Sequence, residues 1–177
     1  MVITGNVQVT KDHMTLGRDL LSPVSLLPRD STDDERAASD CAAWVQLARA
    51  IHGPVGHETG ALALLQLSHA GRQSPTFFGG RPLFHPALAP SAVPLDFRTR
   101  AAAQAGSIGR LLSDTLSTAI QYVSFPTPQA MTTKEVEQAV EAFVEAARIA
   151  ESNDFDGIEL HASHGCELLV ATSISSC

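Results

Sequence analysis

Two imidazoles, His161 and His164, stand three residues apart where the segment Phe155-Asp156-Gly157-Ile158-Glu159-Leu160-His161 ends. Ile158 and Leu160 alternate with Gly157, Glu159 and His161, which is the period of a short strand. Such a strand presents His161 at its C-terminal end, and the turn that follows can return His164 to the same place. In barrels and open α/β sheets, chemistry gathers at that end of the strands. Imidazoles so placed can hold a metal, serve as the base of a nucleophile or donate to an anionic oxygen. They can also be satisfied by backbone carbonyls. A metal needs a third ligand, for which His69 and Glu159 are candidates. Gln66 is the one polar residue of the run Ala61 to Leu67, and both its carbonyl and its amide nitrogen need partners. Those partners are either backbone groups or the edge of an imide-like ring. Gly71-Arg72 follows the same run; its guanidinium can meet an anion, but a structural tie to the next segment is the favoured reading.

The elements that must position these residues can be read from periodicity. Val2-Ile3-Thr4 reads as a strand broken by Gly5-Asn6, and residues 10–31 read as irregular connection. Thr32 and Glu35 form a capping box, after which Ala37, Cys41, Trp44, Val45, Ala48 and Ile51 repeat at helical spacing until Gly53-Pro54. Trp44 is expected in the core. Residues 61–67 read as a strand buried on both faces, as parallel sheets require. Pro75, Pro82, Pro86, Pro90 and Pro94 forbid regular structure in the stretch that follows. Residues 111–122 are a short helix or irregular cover. Thr132 and Glu135 make a second capping box, with Val136, Ala139, Val140, Phe143, Ala147 and Ala150 as one apolar stripe. Strand, helix, strand, excursion, helix, strand implies parallel strands joined by crossovers, and so an α/β fold.

Composition bounds the partners. The 177 residues suit one domain, and 44% of them are hydrophobic with few aromatics, so the core rests on Ala, Leu and Val. A net charge of −7 without a Lys/Arg cluster argues against nucleic acid. No apolar run is long enough for a bilayer, and no secretory signal opens the chain. The three cysteines, Cys41, Cys166 and Cys177, fit no disulfide or zinc framework, which points to a reducing, cytoplasmic setting.

Four segments, in order, resemble the old yellow enzyme family of FMN-dependent NAD(P)H oxidoreductases. Ile3-Thr4-Gly5-Asn6-Val7-Gln8-Val9 resembles the second barrel strand and its exit. Gln66-Leu67-Ser68-His69-Ala70-Gly71-Arg72-Gln73-Ser74-Pro75 resembles the third strand with its HAGR-type sequence. Ala89-Pro90-Ser91-Ala92-Val93-Pro94-Leu95 resembles the excursion beyond it. Met131 to Gly165 resembles the helix and fourth strand with the histidine pair. The resemblance implies a partial TIM (β/α)8 barrel holding about strands 2 to 4 over residues 1–165. A long Pro-rich excursion spans about 73–130, and residues 166–177 form an atypical tail. It implies FMN as cofactor, NADH or NADPH as reductant and a small enone-type substrate whose activated C=C bond is reduced. Gln66 corresponds to the glutamine on the flavin pyrimidine edge, Asn6 lies near the strand exit that faces the flavin, and His161 and His164 match the pair that binds the substrate oxygen. Cys166 occupies the position of the usual proton-donating tyrosine; a thiol can donate a proton but reaches less far. The family's phosphate site follows strands 7 and 8, so the chain is expected to be truncated at both ends, with open strand edges that invite a homo-oligomer. A remnant without flavin or activity is the alternative expectation.

Overall fold

The computed structural model describes residues 1–15, 17, 19–22, 34–54, 60–95, 119 and 122–162. Its largest sheet is parallel throughout. β1 (Val2–Ile3) and β2 (Val7–Gln8) both pair with β4 (Ala63–Ser68), β3 (Leu20–Leu21) pairs with β2, and β7 (Gly157–Leu160) pairs with the other edge of β4. Two helices make the crossovers: α1 (Asp34–His52) leads into β4, and α2 (Thr133–Ser152) leads into β7. This is the α/β succession expected of a barrel sector.

β1 and β2 are two parts of one strand. Ile3 pairs with Leu64 and Val7 with Leu67, so Thr4-Gly5-Asn6 stand opposite only Leu65 and Gln66. The extra residue is a β-bulge, and Thr4 secures it. The Thr4 hydroxyl accepts from the Gln66 N–H at 3.0 Å and donates to the Gly5 carbonyl at 2.9 Å. Gly5-Asn6 thus kinks the strand, where the sequence suggested that it ended. β3 likewise lies inside the segment read as irregular, paired to β2 through Val7–Leu20 and Gln8–Leu21.

The core fills one face of the sheet. Val7, Val9, Ala63, Leu65 and Leu67 pack against Trp44 and Ala48 of α1 and against Phe143, Ala146 and Ala150 of α2. Trp44 meets Phe155 with ring centroids 6.2 Å apart, the core position expected for it. Burying these side chains removes apolar surface worth about 25 cal/mol per Å². The opposite face of β4 is only half-buried at Leu64 and Gln66, unlike the double burial its apolar run suggested. On α2 the buried line runs through Phe143, Ala146 and Ala150, while Val140 is 52% exposed. Val140 follows the sequence stripe, but no described element lies over it.

The helix ends obey local chemistry. On α2, Thr132 Oγ1 accepts from the Glu135 N–H at 3.3 Å, while Glu135 Oε2 accepts from the Thr132 N–H at 2.7 Å. α1 stops at Gly53, whose φ of +77° suits glycine and whose N–H reaches the Arg49 carbonyl at 3.0 Å. Thr32, the cap expected for α1, lies outside the described residues, as do nearly all of 111–122.

The Pro-rich excursion is pinned by specific bonds. Arg72 donates to the Val93 carbonyl at 3.1 Å and to Ser91 Oγ at 3.3 Å, the tie expected of it. Arg81 donates to the carbonyls of Asp12 and Ser74 at 2.8 and 2.9 Å. Gly80 has φ +81°, and a Cβ there would collide with the Lys11 carbonyl, so the close approach requires glycine. Inside the excursion, β5 (Leu88–Ala89) and β6 (Gln129–Ala130) form a small parallel pair that the prolines concealed. Among the described residues, no helix is long and apolar enough to cross a membrane.

Candidate functional site

Register places the polar residues of the second sheet face in two rows. β4 and β7 run in step, with Leu64 opposite Gly157 and Gln66 opposite Glu159. A Cβ on Gly157 would approach Leu64 Cδ2 to 3.0 Å, so glycine leaves that leucine its space. The first row is therefore Gln66 and Glu159. The His161 N–H donates to the Leu67 carbonyl at 2.9 Å, which carries the pairing one residue beyond β7. Strand alternation then brings His161 level with Ser68. Across β4, Ser68 pairs with Gln8. The second row is His161, Ser68 and Gln8, nearer the C-terminal end of the strands, where parallel sheets bind ligands.

Several polar atoms on this face are buried without a partner. Gln8 is fully buried, and neither its Nε2 nor its Oε1 has a hydrogen-bond partner. Ser68 is 1% exposed and its Oγ is unpartnered. Glu159 Oε2 is in the same condition. An unpaired buried polar group costs roughly 1–3 kcal/mol, so proteins rarely keep several in one place without a use. Together the rows gather an amide donor, an amide acceptor, a hydroxyl and a carboxylate oxygen on one sheet face. Such a set suits a polar ring whose edge carries both N–H and carbonyl groups.

The structure brings Gln66 and His161 to neighbouring strands with Glu159 beside Gln66. Asn6 is half-buried in the bulge that the Gln66 N–H anchors. His164 and Cys166 lie outside the described residues. His69, a candidate third metal ligand, points its chemistry elsewhere: its Nδ1 accepts from the Gly71 N–H at 3.2 Å. Among the described residues no three His, Cys, Asp or Glu side chains converge on a common point.

Sequence reasoning missed a second polar cluster on the loop after β2. His13 is 2% exposed and stacks on His69 with ring centroids 4.5 Å apart. The Leu88 N–H donates to His13 Nε2 at 3.0 Å, so the proton sits on Nδ1, which donates to Asp12 Oδ1 at 3.1 Å. That hydrogen bond holds the Asp12 carboxyl down at about 2, while burial lowers the His13 pKa and keeps the ring neutral. The pair Asp12-His13 is visible in the sequence, but its meaning depends on Leu88 and His69, which are remote. A cavity of about 460 Å³ lies beside it, lined by Thr10, His69, Met131, Glu135 and Glu141 among others, and reached by neither Gln66 nor His161.

Comparison with known proteins bears on what the rows are for. The sequence profile of the NADH:flavin oxidoreductase / NADH oxidase family matches residues 36–169. The chain is 35% identical over 165 residues to the NADH-dependent flavin oxidoreductase iliE of Neonectria sp. (strain DH2), covering 93% of this chain and 18% of that protein. It is also 35% identical to the NADH-dependent flavin oxidoreductase iccE of Talaromyces variabilis, of which it covers 33%. The chain thus spans about a fifth to a third of the length of these relatives. Among solved structures, morphinone reductase shares the fold with a TM-score of 0.59 at 22% identity, covering 93% of this chain and 36% of that one. The old yellow enzyme homologue from Zymomonas mobilis gives a TM-score of 0.59 at 19% identity, with 35% of that chain covered. The fold is accordingly a sector of a TIM barrel.

Proposed function

The chain belongs to the NADH:flavin oxidoreductase / NADH oxidase family, and from that premise we propose that its protein is an FMN-dependent NAD(P)H oxidoreductase that reduces activated C=C bonds of unsaturated carbonyl compounds. One observation carries the reading. The residues assigned to flavin and substrate by resemblance, Gln66 and His161, fall on one sheet face beside buried polar atoms that lack partners. The pyrimidine edge of FMN carries an N–H flanked by carbonyls, and it fits a face that offers both amide donors and acceptors.

Bound FMN would supply the two-electron hydride chemistry; the residues of this chain would bind, orient and move protons. The Gln66 side chain would accept from and donate to the pyrimidine edge. Its position is fixed through its own N–H, held by Thr4, so the amide projects from a kinked and anchored strand. Asn6, in the same kink, would face the ring from the neighbouring strand. His161 and His164 would each donate an N–H to the substrate carbonyl oxygen, stabilising the negative charge that grows there as the alkene accepts hydride. The Cys166 Sγ–H would deliver the proton to the other alkene carbon. Among the described residues no strand pairs with the outer edge of β7, whose Ile158 and Leu160 are 37% and 46% exposed, and this supports self-association into a homo-oligomer.

The test is the visible spectrum of the purified protein after incubation with FMN and desalting. The reading expects about one retained flavin per chain, followed by NAD(P)H-dependent loss of an enone's absorbance. Absence of retained flavin in a cooperatively folded protein would sink it and favour an inactive relative.

A further inference from the structure

Gln8 lends its unpartnered amide to the polar face but has no contact of its own assigned, and it is among the most deeply buried polar groups on that side of the sheet. It is fully buried, and both its amide atoms are without partners. It points away from the core because its strand neighbours Val7 and Val9 occupy the core face. Its register partner Ser68 points the same way and is also unpartnered. Gln66 lies on β4 two residues before Ser68, on the same face, so Gln8 and Gln66 are diagonal neighbours, at about 7–8 Å between backbones. His161 closes the row on the far side of Ser68, and with strands about 4.8 Å apart the row spans about 10 Å, the scale of a fused aromatic ring.

A glutamine with nothing to bond is a poor core residue. Leucine would fill similar space without the desolvation of a carbonyl and an amide. The kink at Thr4-Gly5-Asn6 decides which residues of this strand face inward, and it turns Gln8, not Val7, toward the ligand side. We infer that Gln8, backed by Ser68, is a second flavin-positioning amide: its Nε2 donates to, and its Oε1 accepts from, the heteroatoms of the bound isoalloxazine, alongside Gln66. This inference rests on the FMN reading above and adds a residue to it.

The test is FMN titration of the deflavinated protein at its full natural length, read by flavin fluorescence, together with thermal unfolding of the same apoprotein. Gln8→Leu is expected to raise the Kd for FMN roughly tenfold to a hundredfold, the loss of one or two hydrogen bonds. The same variant is expected to raise the unfolding midpoint of the apoprotein, because it removes two unsatisfied groups. Gln8→Glu keeps the length and one acceptor but loses the donor. It is expected to weaken FMN binding and to make the reduction potential of the flavin that remains more negative, since a carboxylate opposes added electron density. A wild-type Kd in Gln8→Leu would overturn the inference and leave the FMN reading standing. Wild-type protein that takes up no FMN would overturn both. Should Gln8→Leu not fold, unchanged affinity and potential in Gln8→Glu would overturn the inference by themselves.

Discussion

The two ends of the central sheet treat polar side chains in opposite ways. At the N-terminal end of β4 and β7, Asp156 Oδ2 accepts from the Ala63 N–H at 2.7 Å and meets buried His52 Nε2 at 2.9 Å, while the Asp156 N–H donates to the Ala63 carbonyl at 2.9 Å. One carboxylate thereby joins the last turn of α1 to the starts of two strands. Toward the C-terminal end, Gln8, Ser68 and Glu159 hold buried polar atoms with no partner at all. The same parallel scaffold pairs its polar atoms at one end and leaves several unpaired at the other. Paired groups there serve stability; under the proposed FMN reading the unpaired groups here would serve binding, the division of labour expected of barrel strands.

The sharpest way to break this comparison is to exchange the outcomes. Asp156→Ala should cost about 2–3 kcal/mol, since it removes the one carboxylate that both the buried Ala63 N–H and the His52 imidazole contact. Urea unfolding measures this, and FMN affinity per folded molecule should stay at its wild-type value. A stability loss below about 0.5 kcal/mol would mean that the lower end is not the anchor described. At the upper end, Gln66→Leu should do the reverse, weakening FMN binding about tenfold or more with little change in the unfolding midpoint. Equal loss of stability in both variants would erase the distinction. Ser68→Ala is the milder probe. Removing an unpartnered hydroxyl should leave the apoprotein equally stable or up to about 1 kcal/mol more stable, again by urea unfolding.

How much of this could be read from the chain depends on how local each feature is. The α2 cap was legible because Thr132 and Glu135 are three residues apart and each side chain bonds the other's N–H. The inward alternation of Glu159 and His161 was legible for the same reason, as was Gln66 in its apolar run. Gln8 was not. Its direction depends on the bulge, and the bulge is set by the bond that the Gln66 N–H donates to Thr4 Oγ1, sixty-two positions away. Read locally, Gly5-Asn6 ends a strand, and Gln8 falls into a loop without a role. The Asp156–His52 contact links residues 104 positions apart and leaves no trace in either neighbourhood. Val140 shows the converse error: the helical stripe includes it, but burial requires a neighbouring element, and periodicity cannot say whether one is there. β5 and β6 each offer only two residues, too few for any pattern among prolines.

The loop that flanks the upper end should add the smallest effect, a dependence of stability on acid. Burial lowers the His13 pKa below 6.5, so the folded state keeps the ring neutral where the unfolded chain already binds a proton. Unfolded molecules then hold more protons, and stability falls as pH drops through 6.5. Asp12 has the same sign in a lower window. Its carboxyl, held at about 2 by the His13 hydrogen bond against an ordinary value of 3.8, favours the fold above 3.8 and loses that contribution as pH falls toward 2. Unfolding midpoints measured between pH 7.5 and 5 should therefore decline in the wild type, and more gently in His13→Gln, which keeps an amide to meet Asp12 and Leu88 but does not titrate. Because His13 stacks on His69, directly after the Gln66–Ser68 strand, protonation should also loosen the end of that strand. FMN release should then rise on the same acid limb in the wild type and stay flat in His13→Gln. Parallel limbs in both proteins would assign the acid sensitivity to other groups and detach this loop from the ligand face.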